Sequence, residues 1–220
     1  MALASGSSVR HPWFARFYER IAPTFDAKGG AAHRDELLAG LTGRVVEVGA
    51  GTGLNFGHYP ETVTEVIAVE PEPYLRTKAE LAAEDAPVAV TVVDGVADQL
   101  PVETESFDAG VASLVLCSVN DPLAALRELR RVIRPGGELR FYEHVRSSSP
   151  ALARAQQGVD LIWPRLAGGC HTSRDTVSTI TAAGFELEHA RRFSFRPMLT
   201  NAPVAPHVIG VARRPDGVTR

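Results

Sequence analysis

The chain has 220 residues, 22% of them charged, and a formal net charge of −3. That size suits one α/β domain, and the charge excludes a basic footprint for nucleic acid. Two cysteines, Cys117 and Cys170, exclude a disulfide framework, and no apolar run is long enough for a membrane span or a signal-peptide core. The expectation is a reduced, cytoplasmic protein without integral membrane association that acts on a small molecule; the composition fixes no oligomeric state.

Residues 1–12 are small and polar and read as a frayed end. Trp13, Phe14, Phe17, Tyr18, Ile21 and Ala22 then recur at helical spacing, which predicts an amphipathic helix ended near Pro23. A second helix is expected from His33 to Leu41, before Gly43. From there strand and helix signals alternate, with strands expected near 44–49, 65–70, 88–94, 107–114, 137–144, 185–193 and 207–213. After the fourth strand, Asp121 and Pro122 open a helix whose stripe is read as Leu123, Leu126, Arg130 and Ile133 and which stops at Arg134–Gly137. Thr172 with Asp175 resembles a capping box, and Gly184 a helix stop. This alternation implies a mainly parallel, doubly wound sheet, and such sheets gather ligands outside the carboxyl ends of their strands.

The stretch Val45–Gly53 reads VVEVGAGTG, a β-branched strand interrupted by Glu47 that runs into Gly49, Gly51 and Gly53. Glycines there remove the Cβ atoms that would block a ligand lying on the backbone. The next strand ends at Glu70, where a doubly wound sheet places the acid that holds a ribose diol. A nucleoside ligand follows. A dinucleotide fingerprint would want its third glycine at position 54, which is Leu54, so the spacing argues against a nicotinamide cofactor.

The acid two residues before G-x-G-x-G, with Glu70 closing the second strand, resembles the first motifs of class I S-adenosylmethionine-dependent methyltransferases. That resemblance implies a Rossmann-like sheet of seven strands with the last one antiparallel, and S-adenosylmethionine as cofactor. It implies Glu47, Gly49, Gly51, Gly53 and Asn55 at the methionine end, Glu70 and Pro71 at the ribose, and Leu114 beneath the sulfonium. Relatives carry an acid in G-D-A-x-x-L-P to meet the adenine, whereas this chain reads GVADQLP, so the backbone of Val96 and Ala97 takes that place, with Asp98 or Asp94 as the nearest acid.

In the second half, LVLCSV at 114–119, EHV at 143–145, Trp163, GGC at 168–170 with His171, Arg174 and PHVIGVA at 206–212 resemble the methyltransferase-like 7 family. Its animal members are thiol S-methyltransferases that begin with a membrane-associating apolar segment, a feature not matched here. The resemblance implies a small, apolar thiol acceptor; methyltransferases of a quinone carbon, a phospholipid amine or a hydroxyl are the alternative. His144 and His171 are the candidate catalytic groups, with His207 a further histidine. Phe17, Tyr18, Cys117 and Trp163 are candidate substrate contacts. Residues 1–43 form an expected helical lid on a methyltransferase domain of 44–214. No metal is expected, because no further ligand lies at local metal spacing from Cys170 and His171.

Overall fold

The computed structural model describes residues 12–197 and 203–216. Within them the seven expected strands all form: β1 (Gly43–Val48), β2 (Val63–Val69), β3 (Val90–Val93), β4 (Phe107–Ser113), β5 (Ile133–His144), β6 (Glu186–Ser194) and β7 (Pro206–Arg213). They make one sheet in the order β3-β2-β1-β4-β5-β7-β6. All pairings are parallel except those of β7, which runs antiparallel to both β5 and β6. Strand order reverses between β1 and β4, and that is where the two crossover directions leave a crevice.

Among the described residues seven α-helices accompany the sheet: α1 (Pro12–Phe25), α2 (Ala31–Leu38), α3 (Pro73–Glu84), α4 (Pro122–Val132), α5 (Pro150–Val159), α6 (Trp163–Leu166) and α7 (Thr176–Ala182). Side-chain alternation along the strands divides the core in two. Val46, Val48, Phe107, Leu139 and Phe141 pack with Leu126 and Leu129 of α4 and Ile180 of α7. Val45, Val66, Ala109, Val111 and Tyr142 pack on the other face with Leu37 and Leu38 of α2 and Ala79 of α3.

Four local expectations change. Helix α1 runs through Pro23 to Phe25, so the missing N–H costs one backbone bond without ending the helix. The break falls instead at Gly29, whose φ of +117° ends a wide turn over Asp26–Gly30. The buried stripe of α4 is Ala125, Leu126, Leu129 and Val132; Arg130 turns out of it and donates to the Gly184 carbonyl, and Ile133 already belongs to β5. Strand β5 therefore begins before the Gly136–Gly137 turn, with a register shift opposite Phe107–Ala109. A Cβ on Gly137 would sit 2.6 Å from the Asp108 carbonyl oxygen, which is why the shift occurs at a glycine. Finally, Asp175 caps α7 through the Ser178 amide, while Thr172 turns away to bond Asp160.

The expected cap of α4 is present: Asp121 Oδ1 accepts from the Leu123 and Ala124 amides at 2.9 and 3.0 Å. Asp121→Ala should cost about 1 kcal/mol of unfolding free energy, and Asp121→Ser much less, as read from urea denaturation midpoints.

Candidate active site

The turn after β1 is built from three left-handed glycines: Gly49, Gly51 and Gly53 have φ of +64°, +59° and +81°. Added Cβ atoms would strike Val115 at Gly49, and Ala82 and Phe56 at Gly53. The position at Gly51 faces the Tyr18 ring of α1 at 3.4 Å. Glu47 is buried just before this turn, where Oε1 accepts from Asn55 Nδ2 at 2.8 Å and Oε2 from the Tyr59 hydroxyl at 2.6 Å. Burial raises its carboxyl to about 7, against the pull of those two donors and the Arg34 charge. Arg34, also buried, donates to Asn55 Oδ1 at 2.6 Å and to Asp26 Oδ1 at 2.9 Å. One chain of polar groups therefore runs Asp26, Arg34, Asn55, Glu47, Tyr59.

Glu70 lies across the turn, with Oε2 accepting the Gly51 amide at 2.8 Å and Oε1 the Glu72 amide at 2.9 Å. Burial lifts this carboxyl to about 7 as well, opposed by the same two amides. A carboxylate has about four acceptor positions, so two remain for hydroxyls of a ligand. Pro71 follows at the mouth, and its carbonyl accepts from Arg76, which also pairs with Asp94 at 2.8 Å. Val96 and Ala97 are half-buried on the neighbouring loop, where the Val96 carbonyl accepts the Gln99 amide; Asp98 is exposed.

At the end of β4 the chain makes a constrained loop. Leu114 has φ of +58°, a left-handed conformation held by its amide bond to the Tyr142 carbonyl. The next three amides, Val115, Leu116 and Cys117, all donate to the buried Glu143 carboxylate at 2.8 to 3.0 Å. Arg174 grips the far side through the Leu116 and Val119 carbonyls. Arg174 thereby holds this loop in place. Val115 packs on Gly49, so the loop and the glycine turn touch.

Cys117 is 1% exposed and points into a cluster with Cys170 and His144. The Cys117 and Cys170 sulfurs are 3.7 Å apart, and each lies 3.6 Å from His144 Nδ1. The hydrogen bond from Cys170 and burial raise the Cys117 thiol well above its ordinary range. His144 is also raised: burial pulls it down, but the Cys117 sulfur and Glu143 outweigh burial. Its ring lies 4.4 Å from that of His207, which burial and His144 push down to about 3. His171 is adjacent, its amide on the Cys117 carbonyl and its Nδ1 donating to the Gly169 carbonyl at 2.8 Å, which leaves Nε2 as the basic nitrogen.

The other two expected substrate contacts, Phe17 and Trp163, lie outside the Cys117–His144–Cys170 cluster. Phe17 is 56% exposed, and the ring of α1 that reaches the glycine turn is Tyr18. Trp163 lines an apolar hollow of about 410 Å³ between α5 and α6, with Val159, Ile162 and Leu166. Arg34, Tyr59, Glu143 and Cys170 belong to the assembled site although sequence reasoning gave them no role there. Glu143 shares the signal that singled out Glu47, an acid inside an apolar strand.

A glycine turn at the switch point of a doubly wound sheet, with a buried acid at the end of the adjacent strand, defines a nucleoside-binding α/β enzyme. Residues 46–141 match the family model described as Methyltransferase domain. The chain is 36% identical to human thiol S-methyltransferase TMT1B over 80% of its length and 73% of that protein's. It is 31% identical to human thiol S-methyltransferase TMT1A over 91% and 85%. Among solved structures it resembles a SAM-dependent methyltransferase of Thermotoga maritima, titled a possible histamine N-methyltransferase, at 25% identity and a TM-score of 0.70 over 91% and 97% of the two chains. The chain belongs to the methyltransferase-like 7 family of class I S-adenosylmethionine-dependent methyltransferases. S-adenosylmethionine is its cofactor.

Glu143→Gln replaces one acceptor oxygen by an amide donor opposite at least one of three buried N–H groups. It should lower unfolding free energy by about 1–3 kcal/mol in urea denaturation.

Proposed function

We propose that the protein transfers the methyl group of S-adenosylmethionine to the sulfur of a small, apolar thiol. The observation that carries this reading is the 36% identity to a thiol S-methyltransferase across 80% of the chain, covering both the glycine turn and the Cys117–His144–Cys170 region. Net charge of −3 supports a small acceptor over nucleic acid, and the paired free cysteines fit a reducing cytoplasm. Among the described residues no helix is long and apolar enough to cross a membrane.

In this reading Glu70 accepts the ribose hydroxyls through its remaining lone pairs, beside Pro71. Glu47 attracts the methionine ammonium, with Asn55 fixing its orientation, while Gly49, Gly51 and Gly53 let the methionine end approach the backbone. The Val96 and Ala97 backbone meets the adenine, and Leu114 floors the pocket beneath the sulfonium. Residues 1–43 act as a lid on the 44–214 domain: Phe14 packs on Gly168 and Tyr18 on Gly51, so one helix face spans the donor and acceptor sides. Residues 1–11 of that segment lie outside the described ones.

Methyl transfer from a sulfonium is an in-line displacement, so alignment of sulfur and methyl supplies much of the rate. A thiol of pKa about 8.5 is already a few per cent thiolate near neutrality, and modest help suffices. His171 takes the acceptor's proton at Nε2, a role supported by its Nδ1 bond to the Gly169 carbonyl, and His144 holds the neighbouring thiols. Phe17 and Trp163 contribute apolar surface at the rim.

A panel of thiol, phenol, amine and quinone acceptors should show methylation of thiols; turnover of the others without thiols would refute the proposal. Glu70→Ala should weaken cofactor binding at least tenfold by calorimetry, and near-normal affinity would remove Glu70 from the ribose site.

The pH dependence has a definite sign. Glu47 and Glu70 are raised to about 7 from the ordinary carboxylate range, so in the free protein both hold protons that a cationic, hydroxyl-bearing ligand must displace. Glu72, Arg76, Arg34, Tyr18 and Tyr59 are the charged or titratable groups facing them. Affinity should rise from pH 6 to 8 by about tenfold for each carboxylate, and Glu70→Gln should remove its share of that slope. Without cofactor these same groups make the fold less stable as pH rises from about 4.5 to 7, because the folded chain holds the extra protons.

A further inference from the structure

The Cys117, His144 and Cys170 side chains come from three separate segments and meet in one triangle. Their ligand atoms, Sγ, Nδ1 and Sγ, all lie within 4.8 Å of one another. The edges are 3.7 Å between the sulfurs and 3.6 Å from each sulfur to the nitrogen. A tetrahedral zinc ion with Zn–S of about 2.3 Å and Zn–N of about 2.05 Å requires edges of about 3.8 and about 3.6 Å. The triangle therefore already has the dimensions of one face of a zinc tetrahedron. Among the described residues no fourth Cys, His, Asp or Glu joins it.

The surroundings hold the three groups in place. Cys117 is positioned by its amide bond to Glu143 and its carbonyl bond from His171, and Cys170 by its amide bond to the Ala167 carbonyl. Gly169 lies so close to the Ser118 carbonyl that a Cβ there would come within 2.6 Å of it, which fixes the Cys170 segment against the Cys117 loop. Both cysteines are buried and free, and two thiolates with one neutral imidazole would cancel the charge of a divalent ion. Three protein donors with no fourth among the described residues match the ligand count of a zinc site that does chemistry rather than one that only holds a fold.

We propose that Cys117, Cys170 and His144 form a Zn²⁺ site whose open fourth position takes the sulfur of the acceptor thiol. The part concerning the acceptor rests on the thiol reading above. On metal binding the two cysteines lose their protons to solvent and His144 binds through Nδ1. The acceptor R–SH loses its proton to solvent as its sulfur takes the fourth position. That sulfur then attacks the cofactor's methyl carbon: a C–S bond to the acceptor forms, the bond from methyl to sulfonium breaks, and that electron pair stays on the cofactor sulfur. The neutral thioether product is a far weaker ligand than a thiolate and leaves. Val115, between Gly49 and Cys117, connects this site to the donor side by a single stretch of loop.

The test uses the full chain, stripped with a chelator under reducing conditions and reloaded with Zn²⁺ or Co²⁺. The expected result is one metal per chain by elemental analysis, and for Co²⁺ a thiolate charge-transfer band with intense visible d–d bands of tetrahedral type. Cys170→Ser and His144→Ala should each lower metal affinity at least tenfold while still binding S-adenosylmethionine, which reports that the variants fold. Substoichiometric metal with no cobalt bands, or unchanged binding in both variants, would overturn the site; so would a Cys117–Cys170 disulfide persisting in the reduced, metal-loaded protein. A small thiol added to the Co²⁺ form should shift the charge-transfer band, and no shift would overturn the open position. Metal bound as described together with no methylation of any thiol would leave the site standing and refute the thiol reading instead.

Discussion

The Glu143 carboxylate, fully buried and accepting three successive backbone amides, is the interaction on which the site depends. A buried carboxylate is costly unless its lone pairs are filled, and an unpaired buried amide is costly in its own right. Here the three amides are satisfied and offset part of the carboxyl's cost, while burial still lifts Glu143 well above the ordinary carboxylate range. The same contact holds the chain just after Leu114, whose left-handed backbone is a strained state for a γ-branched residue and persists only where its surroundings over-determine it. Once the Leu114–Cys117 loop is fixed, Val115 abuts the glycine turn and Cys117 faces His144. Two halves of the site, more than sixty residues apart in sequence, are thus set in register by one side chain from the next strand.

Topology decides which side chains can take part. The reversal of strand order between β1 and β4 opens the sheet at their carboxyl ends, and β5 lies immediately beside. Glu47 comes from β1, the Leu114–Cys117 loop from β4, and Glu143 and His144 from the last two residues of β5. Because successive strand residues face opposite sides, Glu143 and His144 cannot do the same task. Glu143 turns to the loop amides, and His144, on the Tyr142 side, turns to the sulfurs and to His207. The pair EH is one unit in sequence and two functions in space.

This explains what could be read from the chain. Most strands were legible because they carry apolar, often β-branched runs between local punctuation, β6 because it follows the Gly184 stop although it has no β-branched residue, and the glycine turn with Glu70 because both are short-range patterns tied to a known crossover. Local rules misjudged α1 at Pro23, where tertiary packing outweighed one lost bond, and the stripe of α4, where Ala125 and Val132 rather than Arg130 face the sheet. Arg34 and Tyr59 were invisible because their meaning comes from Glu47: Arg34 of α2 reaches it through Asn55, and Tyr59, just after the one-turn helical segment Phe56–His58, bonds it directly. The Cys117–His144–Cys170 triangle has no local spacing at all. Its ligands follow β4, end β5 and follow α6, and only the parallel sheet brings them together.

The polar groups of the donor side also show why such a site is better completed by its ligand than by the protein. Glu47 and Glu70 are both buried within a few residues of each other in space, with the Gly51 amide on one and Asn55 and Tyr59 on the other, yet burial still outweighs these donors and lifts both carboxyls to about 7. Arg34 is the buried cation nearest Glu47, and it is shared with Asp26. The arrangement therefore keeps acceptor capacity that the chain itself does not fill, at a cost in stability. A ligand bringing a positive sulfonium, an ammonium and two hydroxyls supplies the missing charge and donors together. Anything that binds the folded state alone stabilises it by mass action, so with the cofactor held as proposed, binding and folding are coupled through the same two carboxylates. On that assignment, the polarity that would select a cationic nucleoside is the same polarity that costs the fold stability.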